Sequence, residues 1–196
     1  KALLAGVKSL VREHSSAAFP MWMAATEKIT DVNTLNSILP HLPYLQSEIS
    51  SGNFTSTKIA IMGNCMLKPL ADYLRVALFS HGIQADVWEA PFDQWANLML
   101  NPQSELYEYG PSFVVLYLSS LGLTRSATHD GLVPIKLLSD CVSMLTEHSA
   151  SRILMVLPEP LEESYDASSK YIALRHSWIS DIYRYFENHV TFIDPA

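Results

Sequence analysis

Thr57-Lys58-Ile59-Ala60-Ile61-Met62-Gly63-Asn64-Cys65 is the stretch on which the fold turns. Lys58–Met62 is a short run that stays apolar on both sides of the pleat after Lys58, as a strand does when helices cover both faces of its sheet. Leu67 to His81 follows with helical periodicity, and Gly82 is placed to close that helix as a C-cap glycine. A strand that passes through Gly-Asn-Cys into a helix opens an α/β unit. The connecting turn faces the space beyond the carboxyl end of the strand, where open sheets of this class bind ligands. It also lies beside helix N–H groups that no carbonyl has claimed. A cysteine there gains a stabilised thiolate and can act as a nucleophile.

Working outward, short apolar runs alternate with longer helical ones. Strands are predicted over Lys58–Met62, Ala85–Glu89, Phe113–Leu118, Arg152–Leu157 and Val190–Ile193. Helices are predicted over Leu67–His81, Phe92–Leu100, Leu132–His148 and Ser164–Glu187. That alternation predicts an α/β domain with a mainly parallel five-stranded sheet. Upstream, Ala2 to Arg12 reads as an amphipathic helix. A second helix starts near Phe19, with Pro20 in its first turn. A third runs from a cap at Asp31 to Leu39, after which Pro40 and Pro43 break the pattern. Ser47 to Ser56 is polar, holds Gly52 and Asn53, and reads as a linker. The expected division is a helical extension and linker over 1–56 and an α/β domain over 57–196.

Composition narrows the function classes. The 196 residues suit one domain with an appendage, and 48% are hydrophobic, enough for a sizeable core. The formal charge of −7 argues against a nucleic-acid binder, which carries a basic stripe. No apolar run reaches the roughly 18 residues of a membrane span. The two cysteines, Cys65 and Cys141, make no disulfide framework. A reduced, cytoplasmic setting suits both thiols. Cys141 falls in a helical pattern and reads as a packing residue. No Cys/His spacing points to a zinc site, and no metal is expected. The chain starts at Lys1, so an excised fragment is expected.

The strand ends gather the candidate site. Cys65 is either a buried cysteine at a strand end or a nucleophile, and its place after Gly63 and Asn64 favours the second. Gly63 permits a turn closed to other residues, and Asn64 offers an amide donor to a developing oxyanion. Asp93 and Gln94 follow the second strand. Asp93 reads as a cap of the helix after it, as a group that orients a substrate or a base, or as both. Ser119 ends the third strand and offers hydroxyl or N–H donors. In the loop beyond it, His129 is a candidate imidazole partner and Arg125 a candidate contact for phosphate or carboxylate. Each of these loop residues also has a plain reading as a solvated polar group.

Three blocks then resemble a known family. Lys58 to Cys65, Leu70 to Leu78 with His81-Gly82-Ile83, and above all Glu89-Ala90-Pro91-Phe92-Asp93-Gln94-Trp95 followed by Leu100-Asn101-Pro102-Gln103-Ser104-Glu105-Leu106-Tyr107, resemble FkbH-like proteins. The resemblance runs from about Lys58 to Leu118, and more loosely from Ile153 to Asp194. It implies a three-layer, flavodoxin-like domain similar to SGNH hydrolases. It also implies an acyltransferase that holds a three-carbon acyl unit (glyceryl or lactyl type, from a phosphorylated glycolytic acid) as a cysteine thioester. The acyl unit passes to the phosphopantetheine of an acyl carrier protein in polyketide assembly, with no cofactor in this domain itself. On this resemblance Gly63-Asn64-Cys65 stands where SGNH enzymes carry Gly-Asp-Ser, and Cys65 bears the acyl group. Such proteins also carry a haloacid-dehalogenase-type phosphatase domain. Its Asp-x-Asp-x-Thr signature is absent between Lys1 and Ala196, so that half is expected to follow residue 196 or to be supplied otherwise. Asp194 stands where an Asp-x-x-His pair would begin, and otherwise reads as a strand-end cap. Docking an acidic carrier would call on basic groups such as Arg75, Lys136 or Arg152. The alternatives are an SGNH-type esterase or thioesterase and a non-catalytic docking domain of a larger synthase.

Overall fold

The structure is a computed structural model, and it describes residues 2–13, 17–26, 32–49, 54–119, 135–157, 169–186 and 188–193. The chain forms two compact units. One comprises Lys1–Thr57 with Lys68–Val87, and the other Lys58–Leu67 with Trp88–Ala196.

The first unit is mostly helical. It contains α1 (Ala2–Arg12), α2 (Ala18–Thr26), α3 (Val32–Ile38), a 3-10 turn at Leu39–His41 and α4 (Leu42–Ile49). It also contains α5 (Lys68–Ser80) and most of β2 (Ile83–Glu89). Its core joins Val7, Trp22, Leu35, Ile38, Leu45 and Phe79. Phe79 stacks on Phe54 with ring centroids 5.3 Å apart, and Phe19 meets it edge-on at 5.4 Å. Two expectations are corrected here. Pro40 and Pro43 do not end the helical pattern. Pro40 lies in the first positions of the 3-10 turn and Pro43 in the first turn of α4, where a missing N–H costs nothing. Ser47 to Ser56 is not one linker, because Ser47–Ile49 close α4 and Thr55–Ser56 open β1. Gly82 does close α5, with φ +76°, and its carbonyl accepts the Thr55 N–H at 3.1 Å.

The second unit contains most of β1 (Thr55–Gly63), α6 (Trp95–Leu100), α7 (Glu105–Tyr109), β3 (Phe113–Tyr117), α8 (Ile135–His148), β4 (Arg152–Val156), α9 (Ser169–Phe186) and β5 (Val190–Ile193). The sheet is five-stranded and parallel, in the order β2-β1-β3-β4-β5. Ile59 pairs with Phe113 and Gly63 with Tyr117, Val114 with Ile153, and Ile153 with Val190. Ala60, Met62, Val114, Leu116, Leu138 and Ile182 lie in its core. The strands fall within three residues of their predicted ends, most plainly β1 and β3, whose apolar runs stop at Gly63-Asn64 and at Ser119. Helices α8 and α9 occupy the expected segments; residues 132–134, 164–168 and 187 lie outside the described residues.

Two local features differ from expectation. The helix expected from Phe92 begins at Trp95, since Pro91–Gln94 forms a turn. The five-residue α7 was not predicted, because one and a half turns leave no readable periodicity.

Candidate active site

The carboxyl end of β1 is where named residues converge, all within the second unit. Gly63 is buried and pairs with Tyr117. Its backbone does not use the positive φ expected of a glycine turn. What it needs is space: a Cβ there would lie 1.9 Å from the Tyr117 carbonyl oxygen and 3.0 Å from its carbon. Glycine is therefore required by the close approach of β3.

Asn64 continues the sheet with its side chain. Its Oδ1 accepts the Ser119 N–H at 2.8 Å, and its Nδ2 donates to the Ser119 carbonyl at 3.4 Å. A carboxamide has the donor and acceptor of a peptide group, so it pairs with both backbone groups of a residue 55 positions away. Both residues are nearly inaccessible, Asn64 at 5% and Ser119 at 8%, so each group needs its partner. The Ser119 N–H is committed to Asn64 and is not a donor to a substrate. The Asn64 amide nitrogen has two protons, and its bond to Ser119 uses one.

The loop leaving β2 is stitched to the same strand end. Ala90 N–H donates to Ile61 O at 2.9 Å and Asp93 N–H to Gly63 O at 3.2 Å. Gln94 N–H closes the turn on Pro91 O at 3.2 Å, with Asp93 at φ +56°. A positive φ at the third of four residues, with the second in the ordinary region, is the type II turn pattern, and aspartate tolerates it better than most residues. This placement corrects the reading of Asp93 as a helix cap. The capping position belongs to Gln94, without a side-chain cap bond. Asp93 is exposed, and its carboxylate belongs to the turn, not the helix. Gln94 Oε1 accepts from Asn97 Nδ2 at 2.8 Å, which holds Gln94 against the first turn of α6.

Cys65 follows Asn64 and is half-buried, whereas Cys141 is fully buried, and neither is in a disulfide. Burial, followed by the nearby Asp140 charge, pushes the Cys141 thiol from 9.0 up to about 12, and its Sγ lies 3.9 Å from the Ala96 carbonyl. Cys141 is thus the packing residue expected of it, and Cys65 is the thiol with solvent access.

The strands thus bring Gly63, Asn64, Cys65, Asp93 and Ser119 to one edge, with Gln94 at its margin. Arg125, His129 and Asp194 lie outside the described residues. The three basic groups suggested for docking stand on different elements. Arg75 donates to Asp72 Oδ1 at 2.8 Å and to the Val87 carbonyl at 2.7 Å. Arg152 opens β4, at the edge opposite the strand ends, while Lys136 stands in the first turn of α8. Open grooves of about 400 and 330 Å³ run along α8 and include Lys136, Asp140, Ser143 and His189, but no residue of this site. Among the described residues no cluster of His, Cys, Asp or Glu could hold a metal, and no helix is long and apolar enough to cross a membrane.

The Leu100–Tyr107 stretch has a structural explanation that the sequence did not reveal. Ser104 Oγ donates to Leu98 O at 2.6 Å and Tyr107 OH to Met99 O at 2.5 Å, while Asn101 Oδ1 accepts the Gln103 N–H at 3.0 Å. Leu98 and Met99 sit at the end of α6, where carbonyls lack helical partners. Asn101 to Tyr107 is therefore the clamp that ends α6 and starts α7.

The family model described as FkbH, N-terminal domain, matches residues 58–155, half of the chain, and spans both loops of the site. The chain belongs to the FkbH family. Two solved structures share its fold. One is the N-terminal part of the protein BF1531 from Bacteroides fragilis, containing a phosphatase domain complexed with Mg. Its TM-score is 0.55 at 16% identity, over 91% of this chain and 45% of that one. The other is the acetyl xylan esterase AlAXEase, with a TM-score of 0.53 at 17% identity, over 70% of this chain and 76% of that one. The FkbH chain thus spans under half of the Bacteroides structure. No curated protein matches it.

Proposed function

We propose that this FkbH domain is an acyltransferase that carries a three-carbon acyl unit on Cys65 and passes it to the thiol of an acyl carrier protein. The observation that carries the reading is the placement of Cys65. It is the accessible thiol of the chain, and it follows the Gly63-Asn64 pair that is fastened to Ser119 and to the Asp93 turn. In the first step the Cys65 thiolate attacks the acyl carbon of an activated glyceryl- or lactyl-type acid. A C–S bond forms, the bond to the leaving group breaks, and the thiol proton leaves with a base. Asn64 Nδ2, through its second N–H, is the proposed donor to the oxyanion, and Asp93 positions the substrate or the base. In the second step the carrier thiolate attacks the thioester, and Cys65 departs as a thiolate. Thioester exchange is nearly balanced in energy, so orientation and exclusion of water are what the protein has to supply. Removal of phosphate from the donor is assigned to a separate phosphatase domain, of the kind present in the Bacteroides neighbour.

Intact-protein mass spectrometry tests this. Wild type incubated with glyceryl and lactyl donors should gain one acyl mass and lose it when carrier protein is added, and Cys65→Ala should gain none. Acylation that persists in Cys65→Ala would remove the cysteine from its role. Rapid turnover with no adduct would replace transfer by hydrolysis.

A further inference from the structure

Among the described residues, the two most exposed large apolar side chains flank the site. Met66 is 82% exposed and Phe92 64%, against 45% for Tyr73 and less for Met23, Tyr183 and Ile193. Met66 adjoins Cys65, and Phe92 adjoins Asp93. Their loops are joined by the Asp93 N–H to Gly63 carbonyl bond at 3.2 Å. Phe92 is not exposed through slack in the chain. It occupies the second position of the Pro91–Gln94 turn, which is closed by the Gln94 N–H to Pro91 carbonyl bond with a left-handed aspartate at φ +56°. A left-handed conformation is disfavoured for a non-glycine residue, and an unburied Phe or Met forgoes the favourable transfer of its apolar surface out of water. Both costs fall on the two loops that carry the proposed nucleophile and the carboxylate.

We propose that Met66 and Phe92 form an apolar rim that seats the pantetheine arm of the incoming thiol and so selects a long-armed thiol over a short one. The inference rests on the acyl-transfer reading above. That reaction requires a thiol to arrive at Cys65 over the edge of the sheet. The arm behind a pantetheine thiol is a run of amides and methylenes ending in a geminal dimethyl group, so it has apolar surface to cover. An aromatic face and an unbranched thioether suit it, because the thioether adapts to an irregular chain. A short thiol such as N-acetylcysteamine has the same reacting sulfur but not the dimethyl end. No additional bond is made: the exchange forms one C–S bond and breaks another whichever thiol arrives.

The experiment uses the full chain, loaded at Cys65 from lactyl-N-acetylcysteamine, and follows transfer to pantetheine and to N-acetylcysteamine by intact mass. Wild type is expected to have a KM for pantetheine about tenfold lower than for the short thiol, equivalent to about 1.4 kcal/mol. Met66→Ser with Phe92→Ser should raise the pantetheine KM about tenfold at nearly constant kcat and erase the preference, while Met66→Leu with Phe92→Leu retains it. Thermal melting of each variant verifies folding. An unchanged preference in the serine variant, or no preference in wild type, would overturn the inference while leaving acyl transfer standing. Failure of wild-type Cys65 to load at all would overturn the underlying reading, and the inference with it.

Discussion

Replacing Gly63 by alanine tests whether the site is built on a close approach of strands. The added Cβ would lie 1.9 Å from the Tyr117 carbonyl oxygen, roughly 1.1 Å inside the 3.0 Å that real Cβ atoms respect. The obstacle is backbone at the last pair of two interior strands, so no side chain can swing aside. β1 and β3 must separate at the Gly63–Tyr117 pair. Overpacking of this kind costs about 1–3 kcal/mol, and one lost ladder bond adds about 0.5–1.5 kcal/mol. The expected loss is about 2–4 kcal/mol, which for a chain of this size lowers Tm by roughly 5–15 °C. Gly82→Ala is the control. Gly82 has φ +76° and nothing within 4 Å of an added Cβ, so its cost is left-handed strain alone, about 1–2 kcal/mol. Thermal and urea unfolding followed by circular dichroism should rank Gly63→Ala below Gly82→Ala. Hydrogen exchange should show the Ser119 amide, 2.8 Å from Asn64 Oδ1, losing protection in Gly63→Ala. If Gly63→Ala melts with or above Gly82→Ala, the close-approach reasoning is wrong and Gly63 is held for some other reason.

Asn64→Ala strands the buried Ser119 N–H and should cost about 1–3 kcal/mol in urea unfolding, with loss of Cys65 acylation. Ser104→Ala and Tyr107→Phe should each cost about 1 kcal/mol and leave Cys65 loading intact in the mass assay; lost loading would mean that the Asn101–Tyr107 block does more than clamp α6. The Cys141 thiol is held neutral by burial from its ordinary 9.0 up to about 12. The folded state therefore keeps a proton that the unfolded chain releases, and stability is full below pH 9 and falls as pH rises toward 12. Cys141→Ala should flatten that alkaline loss in Tm measurements over pH 9–12, with a residual slope from Tyr107, whose hydroxyl burial raises to about 12.

The sheet was legible in the sequence because its strands carry their own signal. Ile59-Ala60-Ile61-Met62 and Phe113-Val114-Val115-Leu116 are apolar on both faces, and helical covering of both faces is what such runs require. Pro40 and Pro43 misled because proline stops a helix from within but is welcome in a first turn, and only the position of the turn distinguishes the two. The Phe92 boundary was missed because a left-handed Asp93 is a choice made by the Asp93 N–H bond to Gly63, and that partner lies 30 positions upstream. The site divides in the same way. A thiol after Gly63-Asn64 could be read locally. That Asn64 is half of a pair with Ser119, and that Gly63 is demanded by Tyr117, depend on strand order and register. Neither is written in a local spacing.

The two cysteines show why the functional reading depends on placement and not on residue type. Cys141 lies on α8 among core side chains, where burial keeps its thiol protonated far above neutrality. Cys65 lies just beyond the last residue of β1, where the sheet has run out of partners. There the chain replaces ladder bonds by an amide side chain on one flank and a turn amide on the other. Those two substitutes fix the backbone on either side of β1, and Cys65 beyond them is half-buried where Cys141 is fully buried. A loop held only by its own residues would lose orientation on each opening motion. Here it is tied to the Ser119 backbone just beyond β3 and to the β2 exit, so these bonds oppose such opening. Disrupting either tie should therefore impair acylation of Cys65 even where the thiol itself is unchanged. That coupling separates a preorganised nucleophile from a cysteine that is only exposed.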